Sequence, residues 1–287
     1  VDTSSYDRSL EDVGNILQLE HVNVTVPDQQ LAHLFYVTGM GLTRDPYVDF
    51  GDRNMWVNVG RQQFHTPLSE PQVLRGTVGL VLPDLEGLKA RLDRIGRRFQ
   101  GSKLNYTEGN GYVDVTCPWG NHIRCHSPGE PFGNMEIGMP YVEFTVKPRS
   151  ARGIAEFYEK VLQAPAKVAK DDDGTVAVIS IGTDQCLRYR ETKDEIPKYD
   201  GHHMAIYVAN FSNAHRYLCD RGLVFEESDQ HQYRFRDIPH PKNGNVLFTI
   251  EHEVRSLGHP MWSRDLLNRN PEQGFFNYRR GHDRLPV

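Results

Sequence analysis

The sequence predicts an α+β fold of four β-α-β-β-β modules, paired into two cupped, barrel-like sheet domains. Three observations carry this. Alternating apolar strands recur along the chain, each followed by residues at helical spacing. The first two of these strands stop at the same dipeptide, Pro27-Asp28 and Pro83-Asp84. Each helical stretch is then followed by short strand-like runs. A whole supersecondary unit repeated in order is the signature of a modular architecture.

The first module opens with the strand Leu19 to Val26, stopped by Pro27-Asp28, and a helical stretch Gln29 to Tyr36. Strand-like runs follow at Tyr47 to Phe50, Met55 to Val59 and Gln62 to His65. The second has Leu74 to Leu82, then Leu85, Leu88, Leu92 and Ile95 at helical spacing. Its later runs are Lys103 to Tyr106, Tyr112 to Thr116 and His122 to Cys125. The third has Pro140 to Val146, a helix around Ile154, Phe157 and Val161, then Ala166 to Val168, Val176 to Ile181 and Gln185 to Tyr189. The fourth has His202 to Val208, a helix around Ala214 to Leu218, then Val224 to Glu227, Gln232 to Phe235 and Val246 to Glu251. Ser127 to Gly133, rich in Pro and Gly, reads as the link between two pairs. The expected domains are residues 1–130, a scaffold pair, and residues 131–287, a pair with the metal and substrate cavity plus a carboxy-terminal extension.

A chain of 287 residues is long enough for two cores. Its formal charge of -5, from 33 basic and 38 acidic residues, gives no reason to expect nucleic acid. No apolar run reaches membrane-spanning length, so no membrane partner is expected. The four cysteines Cys117, Cys125, Cys186 and Cys219 form no CxxC pair. That pattern and the lack of a signal-like start at Val1 lead to the expectation of a reduced, cytoplasmic protein.

The chemistry concentrates in Gly201-His202-His203-Met204-Ala205-Ile206-Tyr207-Val208 and Phe248-Thr249-Ile250-Glu251. On a strand His203, Ala205 and Tyr207 share one face. An imidazole at the start of one strand and a carboxylate late in another are candidate ligands for a divalent metal. The plainer alternatives are a hydrogen-bonded core histidine and a carboxylate paired with Arg234 or Arg255. Glu253 points the same way as Glu251 and is its rival.

With these modules the chain resembles the vicinal oxygen chelate superfamily, over about residues 17–255. That superfamily includes glyoxalase I, bleomycin-resistance proteins and extradiol ring-cleaving dioxygenases. The two-domain dioxygenase members are the most similar in layout. The resemblance implies a divalent metal held by residues on the first and last strands of paired modules. It puts His203 and Glu251 at metal positions. It aligns Tyr141 with a metal histidine of the ring-cleaving members, with Glu143 one pleat further on as the expected third ligand. His231, twenty residues before Glu251, aligns with a substrate-contacting histidine, and Tyr233 is a further proton donor. The expected set is therefore metal ligands His203, Glu251 and Glu143, with catalytic His231, Tyr233 and Tyr141. Fe(II) is favoured, and Mn, Mg or Zn are alternatives.

The first pair carries His21 and His65 at ligand positions, but its second module offers Thr77 and Arg124 there. Its role is expected to be scaffolding, with His122 and His126 as material for an alternative amino-terminal site. The segment after Arg255 is expected to wrap the domain or a partner chain, or to cover the cavity through His259 or Trp262. The resemblance thus implies a metalloenzyme acting on a small oxygenated or aromatic molecule, with extradiol ring cleavage narrowly ahead. The alternatives are a non-oxidative lyase, isomerase or hydrolase and a metal-free binding protein. A homo-oligomer is expected.

Overall fold

The structure is a computed structural model that describes residues 7–49, 51–264, 270, 272–274 and 277–279. Module 1 comprises β1 (Ile16–Asn23), α1 (Gln29–His33, prolonged by a π-helical turn Leu34–Gly39), β2 (Thr43–Asp49), β3 (Asn54–Val59) and β4 (Gln62–Pro67). Module 2 comprises β5 (Gly76–Val81), α2 (Leu85–Gly96), β6 (Asn105–Gly109), β7 (Tyr112–Thr116) and β8 (His122–His126). Module 3 comprises β9 (Gly138–Val146), α3 (Ala151–Phe157, prolonged by a π-helical turn Tyr158–Leu162), β10 (Ala166–Asp171), β11 (Gly174–Ser180) and β12 (Cys186–Glu191). Module 4 comprises β13 (His203–Val208), α4 (Phe211–Cys219), β14 (Val224–Asp229), β15 (Gln232–Pro239) and β16 (Val246–Ser256).

The recurring Pro-Asp stop has a physical reason. Asp28 accepts from the Leu31 amide at 2.9 Å and Asp84 from the Gly87 amide at 2.7 Å, so each caps the helix that follows. Proline just before supplies a rigid, donor-free break at the end of the strand.

The four modules form two cupped eight-stranded sheets, neither closed into a barrel. Their orders are β14-β15-β16-β13-β1-β4-β3-β2 and β10-β11-β12-β9-β5-β8-β7-β6. The pairing differs from the expected domains 1–130 and 131–287. Module 1 pairs with module 4, and module 2 with module 3. The join in the first sheet is β1 antiparallel to β13, and in the second β5 antiparallel to β9. Each module exposes the edge of its first strand, and any other first strand can satisfy those backbone groups. Module order therefore does not specify the partner. At the second join the backbones nearly touch: a Cβ on Gly76, whose φ is +153°, would lie 1.8 Å from the Glu143 carbonyl oxygen.

The helices lie between the two sheets. Helix α3 packs on β10, β11 and β12 of its own sheet and also on β15 and β16 of the other. Helix α2 packs on the π-helical turn of module 1. One continuous apolar core results, containing Val22, Ile206 and Val254 from one sheet and Val78, Val142 and Leu187 from the other. Strand alternation then turns His203, Ala205 and Tyr207 to the concave face and Met204, Ile206 and Val208 to the core. Among the described residues no helix is long and apolar enough to cross a membrane.

His252 is on the core side of β16 and is fully buried. Its Nδ1–H donates to the Ile250 carbonyl at 2.8 Å, its Nε2 accepts from Tyr158 Oη at 2.6 Å, and Phe235 stacks on it at 4.2 Å. Burial holds its pKa down at about 3. An unfolded histidine titrates near 6.5, roughly. The unfolded chain therefore takes the proton first, and stability falls as pH drops from about 6.5 towards about 3. Thermal melts across that range should show a falling Tm. In His252→Phe, which keeps the ring packing, the fall should be shallower.

Candidate metal centre

The β1–β13 join places module 1 histidines beside module 4 residues. In register, His21 lies opposite Ala205 and Asn23 opposite His203. On the far side of β1, Asn23 pairs with His65 of β4. On the far side of β13, His203 pairs with Glu251 and Ala205 with Glu253. His21, His65 and His203 each offer a ring nitrogen, and these atoms lie within 4.8 Å of one another. His21 Nε2 and His203 Nε2 are 3.5 Å apart, and Glu253 Oε2 lies 3.6 Å from His203 Nε2.

Neighbouring groups orient each ring. The register shift between Leu19 and His21 brings consecutive residues to one side of the sheet. Glu20 thereby reaches His21 Nδ1, which donates to it and leaves the Nε2 lone pair free. The Asn23 amide nitrogen lies 2.7 Å from His65 Nδ1 and donates to it, which fixes the orientation of the ring. His65 stacks on the Trp56 indole, with centroids 3.9 Å apart and planes at 18°. The His65 Nε2 atom is buried without a hydrogen-bond partner.

A buried, unpartnered imidazole nitrogen facing two others is costly unless something electrophilic meets it. The donor set fits a divalent first-row cation, for which neutral imidazole is a common ligand. Burial, followed by the neighbouring histidines, holds His65 well below its ordinary pKa. Burial, followed by His21, does the same for His203. Both rings are thus neutral, the form a metal requires. Burial pulls the Glu253 carboxyl upward, but Arg255, His21 and Arg234 outweigh it and the net direction is down. Glu20 is likewise opposed by burial, yet Arg255 and His21 bring it down to about 2.

Of the expected metal ligands, the structure brings His203 and Glu251 into register and leaves Glu143 elsewhere. Glu251 lies on the Nδ1 side of His203, at 3.7 Å, away from the three-nitrogen cluster. Its oxygens go to Arg234 at 2.6 Å and Arg236 at 3.2 Å. Glu253, the rival, faces the cluster instead. Glu143 belongs to the second sheet, where Arg188 at 3.0 Å and Arg190 at 2.9 Å hold it. It cannot share an ion with His203, because β9 pairs with β5 and not with module 4.

The expected catalytic residues also lie apart from the cluster. His231 sits at the turn between β14 and β15, its Nδ1 3.4 Å from Ser256 Oγ. Tyr233 points to the helix layer, fully buried against Phe211 and His215. Tyr141 lies in the second cup, its hydroxyl 2.9 Å from His126 Nε2. That cup is a cavity of about 860 Å³ lined by Arg124, His126, Tyr141, Cys186 and Arg188, among others.

A smaller cavity of about 260 Å³ opens on the same face; Glu20 links it to the cluster, whose histidines do not themselves line it. Gln18, Glu20, Arg61, Gln63, Tyr207 and Arg264 line it. Glu20 therefore both faces the cavity and holds His21. The segment after β16 covers this face. Met261 packs with Tyr47, Val48 and Trp56, Trp262 lies 4.7 Å from Tyr207, and Arg264 is ion-paired with buried Asp45. Up to Arg264 this segment packs against the domain, as in the first of the two roles expected for it, and Met261, Ser263 and Arg264 line the smaller cavity while His259 and Trp262 do not; Arg269, Phe275, Phe276 and Arg280 lie outside the described residues.

The architecture has close counterparts among solved structures. Glyoxalase I from Zea mays superposes with a TM-score of 0.60 at 13% identity, covering 83% of this chain and 92% of that one. A provisionally assigned dioxygenase from Bacillus subtilis subsp. subtilis str. 168 superposes with a TM-score of 0.58 at 15% identity, covering 91% and 89%. The fold is one that this chain shares with both structures. No known family profile and no curated protein matches the chain. At these identities the shared property is the fold, and the reaction has to be argued from the site itself.

The histidines missed as a set were visible singly in the sequence. The lost signal was the module pairing: against Thr77 and Arg124, His21 and His65 look orphaned, whereas with His203 they complete a three-nitrogen cluster, with Glu253 beside His203. If Glu20 sets the His21 tautomer, Glu20→Gln should weaken metal binding by about 10–100-fold. Glu143→Gln should leave it unchanged. Competition titrations against a chelator read both.

Proposed function

We propose that the chain is a metal-dependent enzyme acting on a small substrate with two adjacent oxygens, by non-oxidative proton transfer of the glyoxalase type. The observation that carries this reading is the convergence of His21, His65 and His203 with one buried nitrogen unpartnered. His21, His65 and His203 would hold the ion, with Glu253 the nearest carboxylate. When bound, it supplies Lewis acidity that stabilises negative charge developing on a substrate oxygen.

The chain's own groups support proton transfer. Arg255 and Arg234 keep Glu253 ionised in a buried position, so it is available as the base for a carbon made acidic by an adjacent carbonyl, although the same arginines lower its basicity. Arg61 adds a cation at the cavity, suited to an anionic substituent, and Gln18 and Gln63 add hydrogen-bonding groups. Met261 and Trp262 shield the site from water. His231, Tyr233 and Tyr141 make their contacts outside the cluster, which supports proton transfer over ring cleavage. Extradiol cleavage stays as a second reading because an imidazole-rich set with one carboxylate suits Fe(II).

Elemental analysis and solvent-exchange assays test this. His65→Ala and His203→Ala should lose the ion of this centre with little change in Tm. The metal-loaded chain should exchange the α-proton of a 2-hydroxy ketone with deuterated water, and Glu253→Gln should slow that by at least about 100-fold. Oxygen uptake with catechol after anaerobic Fe(II) loading would favour the second reading. Full metal retention in both histidine variants would remove the centre.

A further inference from the structure

A second convergence of donors lies outside the cup, on the outer edge of the first sheet. His215 and Cys219 are four residues apart on α4 and so occupy one face of the helix. Glu227 of the edge strand β14 meets them. His215 Nε2 is 2.7 Å from Glu227 Oε1. The Cys219 sulfur is 3.4 Å from the same ring nitrogen and 3.7 Å from the same carboxylate oxygen. All three donor atoms lie within 4.8 Å of one another, and the buried ring of Tyr233 backs His215 at 4.9 Å.

Two chemistries use a thiol, an imidazole and a carboxylate. A nucleophile relay needs the thiol on one ring nitrogen and the carboxylate on the other, so that the ring passes a proton along. Here both partners meet at Nε2, and Nδ1 lies 3.9 Å from the same sulfur. No carboxylate takes the second nitrogen, so the relay geometry is absent. Convergence of all three donors on one point is the arrangement a cation needs. In a tetrahedral site with Zn–N near 2.0 Å and Zn–S near 2.3 Å, neighbouring donors stand about 3.3–3.7 Å apart. The two sulfur separations already match that. The imidazole–carboxylate pair must open by about half an ångström, and the Glu227 side chain is 59% exposed and free to turn.

We propose that His215, Cys219 and Glu227 form a second metal site, taking a Zn²⁺-class cation through nitrogen, sulfur and oxygen. The three protein donors leave the fourth position to water on the solvent side. The mixture of soft thiolate with imidazole selects against Mg²⁺ and Ca²⁺, which prefer all-oxygen sites. This site shares no ligand with the histidine cluster and stands independently of it.

Cobalt titration of the full chain, stripped with chelator, tests the assignment. Cobalt bound to a thiolate shows a sulfur-to-metal charge-transfer absorption that imidazole and carboxylate ligands do not produce. The band should saturate at one cobalt per chain and persist in His203→Ala, where the central cluster is disabled. It should vanish in Cys219→Ala and in the isosteric Cys219→Ser. In His215→Ala and Glu227→Gln the affinity behind the band should fall by at least about tenfold. Cys186→Ala, altered at the other partly accessible thiol of the described residues, should keep it. A band surviving in both Cys219 variants, one lost with Cys186, or none in the unaltered chain would overturn the proposal.

Discussion

The molecule depends on how the first strands of its modules pair edge to edge. A β-α-β-β-β unit leaves one row of backbone donors and acceptors open on its first strand, and a buried row must be satisfied. Pairing β1 with β13 satisfies it and brings the far strands β4 and β16 to either side of one concave floor. His21 and His65 then face His203 and Glu253 across the join. No local feature of either module would create this set alone. The nested order, with modules 2 and 3 paired inside and 1 and 4 outside, is held by contacts between the sheets. Asp200, just before β13, accepts from the Val73 amide at 2.7 Å, and the Arg75 guanidinium donates to the Thr249 carbonyl.

Charge balance explains how so polar a floor can be buried. Glu20, Glu251 and Glu253 are matched by Arg255, Arg234 and Arg236. Arg255 lies 3.1 Å from Glu20 and 2.5 Å from Glu253, and all three residues are buried. Removing one member of such a buried pair typically costs about 3–5 kcal/mol, because the remaining charge is stranded. Glu20 and Glu253 are thereby ionised, and the His65 and His203 rings neutral, in the same small volume. That combination is what a divalent cation requires of its ligands and of the groups behind them.

The two cups show how one scaffold diverges. At the positions in the second sheet that correspond by register to His21, His65, His203 and Glu253 stand Thr77, Arg124, Tyr141 and Arg188, with both arginines paired to carboxylates. Arg124 is held bidentately by Asp114, and Glu143 by Arg188 and Arg190. Burial and Arg124 bring His126 down to about 4, and its Nε2 is taken up by the Tyr141 hydroxyl, whose own pKa burial pushes up to about 12. Those donors are spent on one another. The same strands thus present an open set of imidazoles in one cup and a satisfied network in the other.

The order of strands and helices was legible in the sequence, as was the face each side chain takes. Strand alternation at His203, Ala205 and Tyr207 and the Pro-Asp caps of two helices are local properties, decided by period and by hydrogen bonds within a few residues. Placing His203 beside Glu251 followed from the same reasoning, because a module's first and last strands are neighbours. Which module faces which was not legible. That choice rests on contacts between residues far apart in the chain, and every first strand carries the same unsatisfied edge. The sequence by itself determined four modules, their facing residues and a shortlist of donors. The tertiary structure alone decided that His21 and His65 join His203, that Glu253 replaces Glu251 beside them, and that Glu143 belongs to a different cup, because only the pairing of edges brings distant strands within a few ångströms.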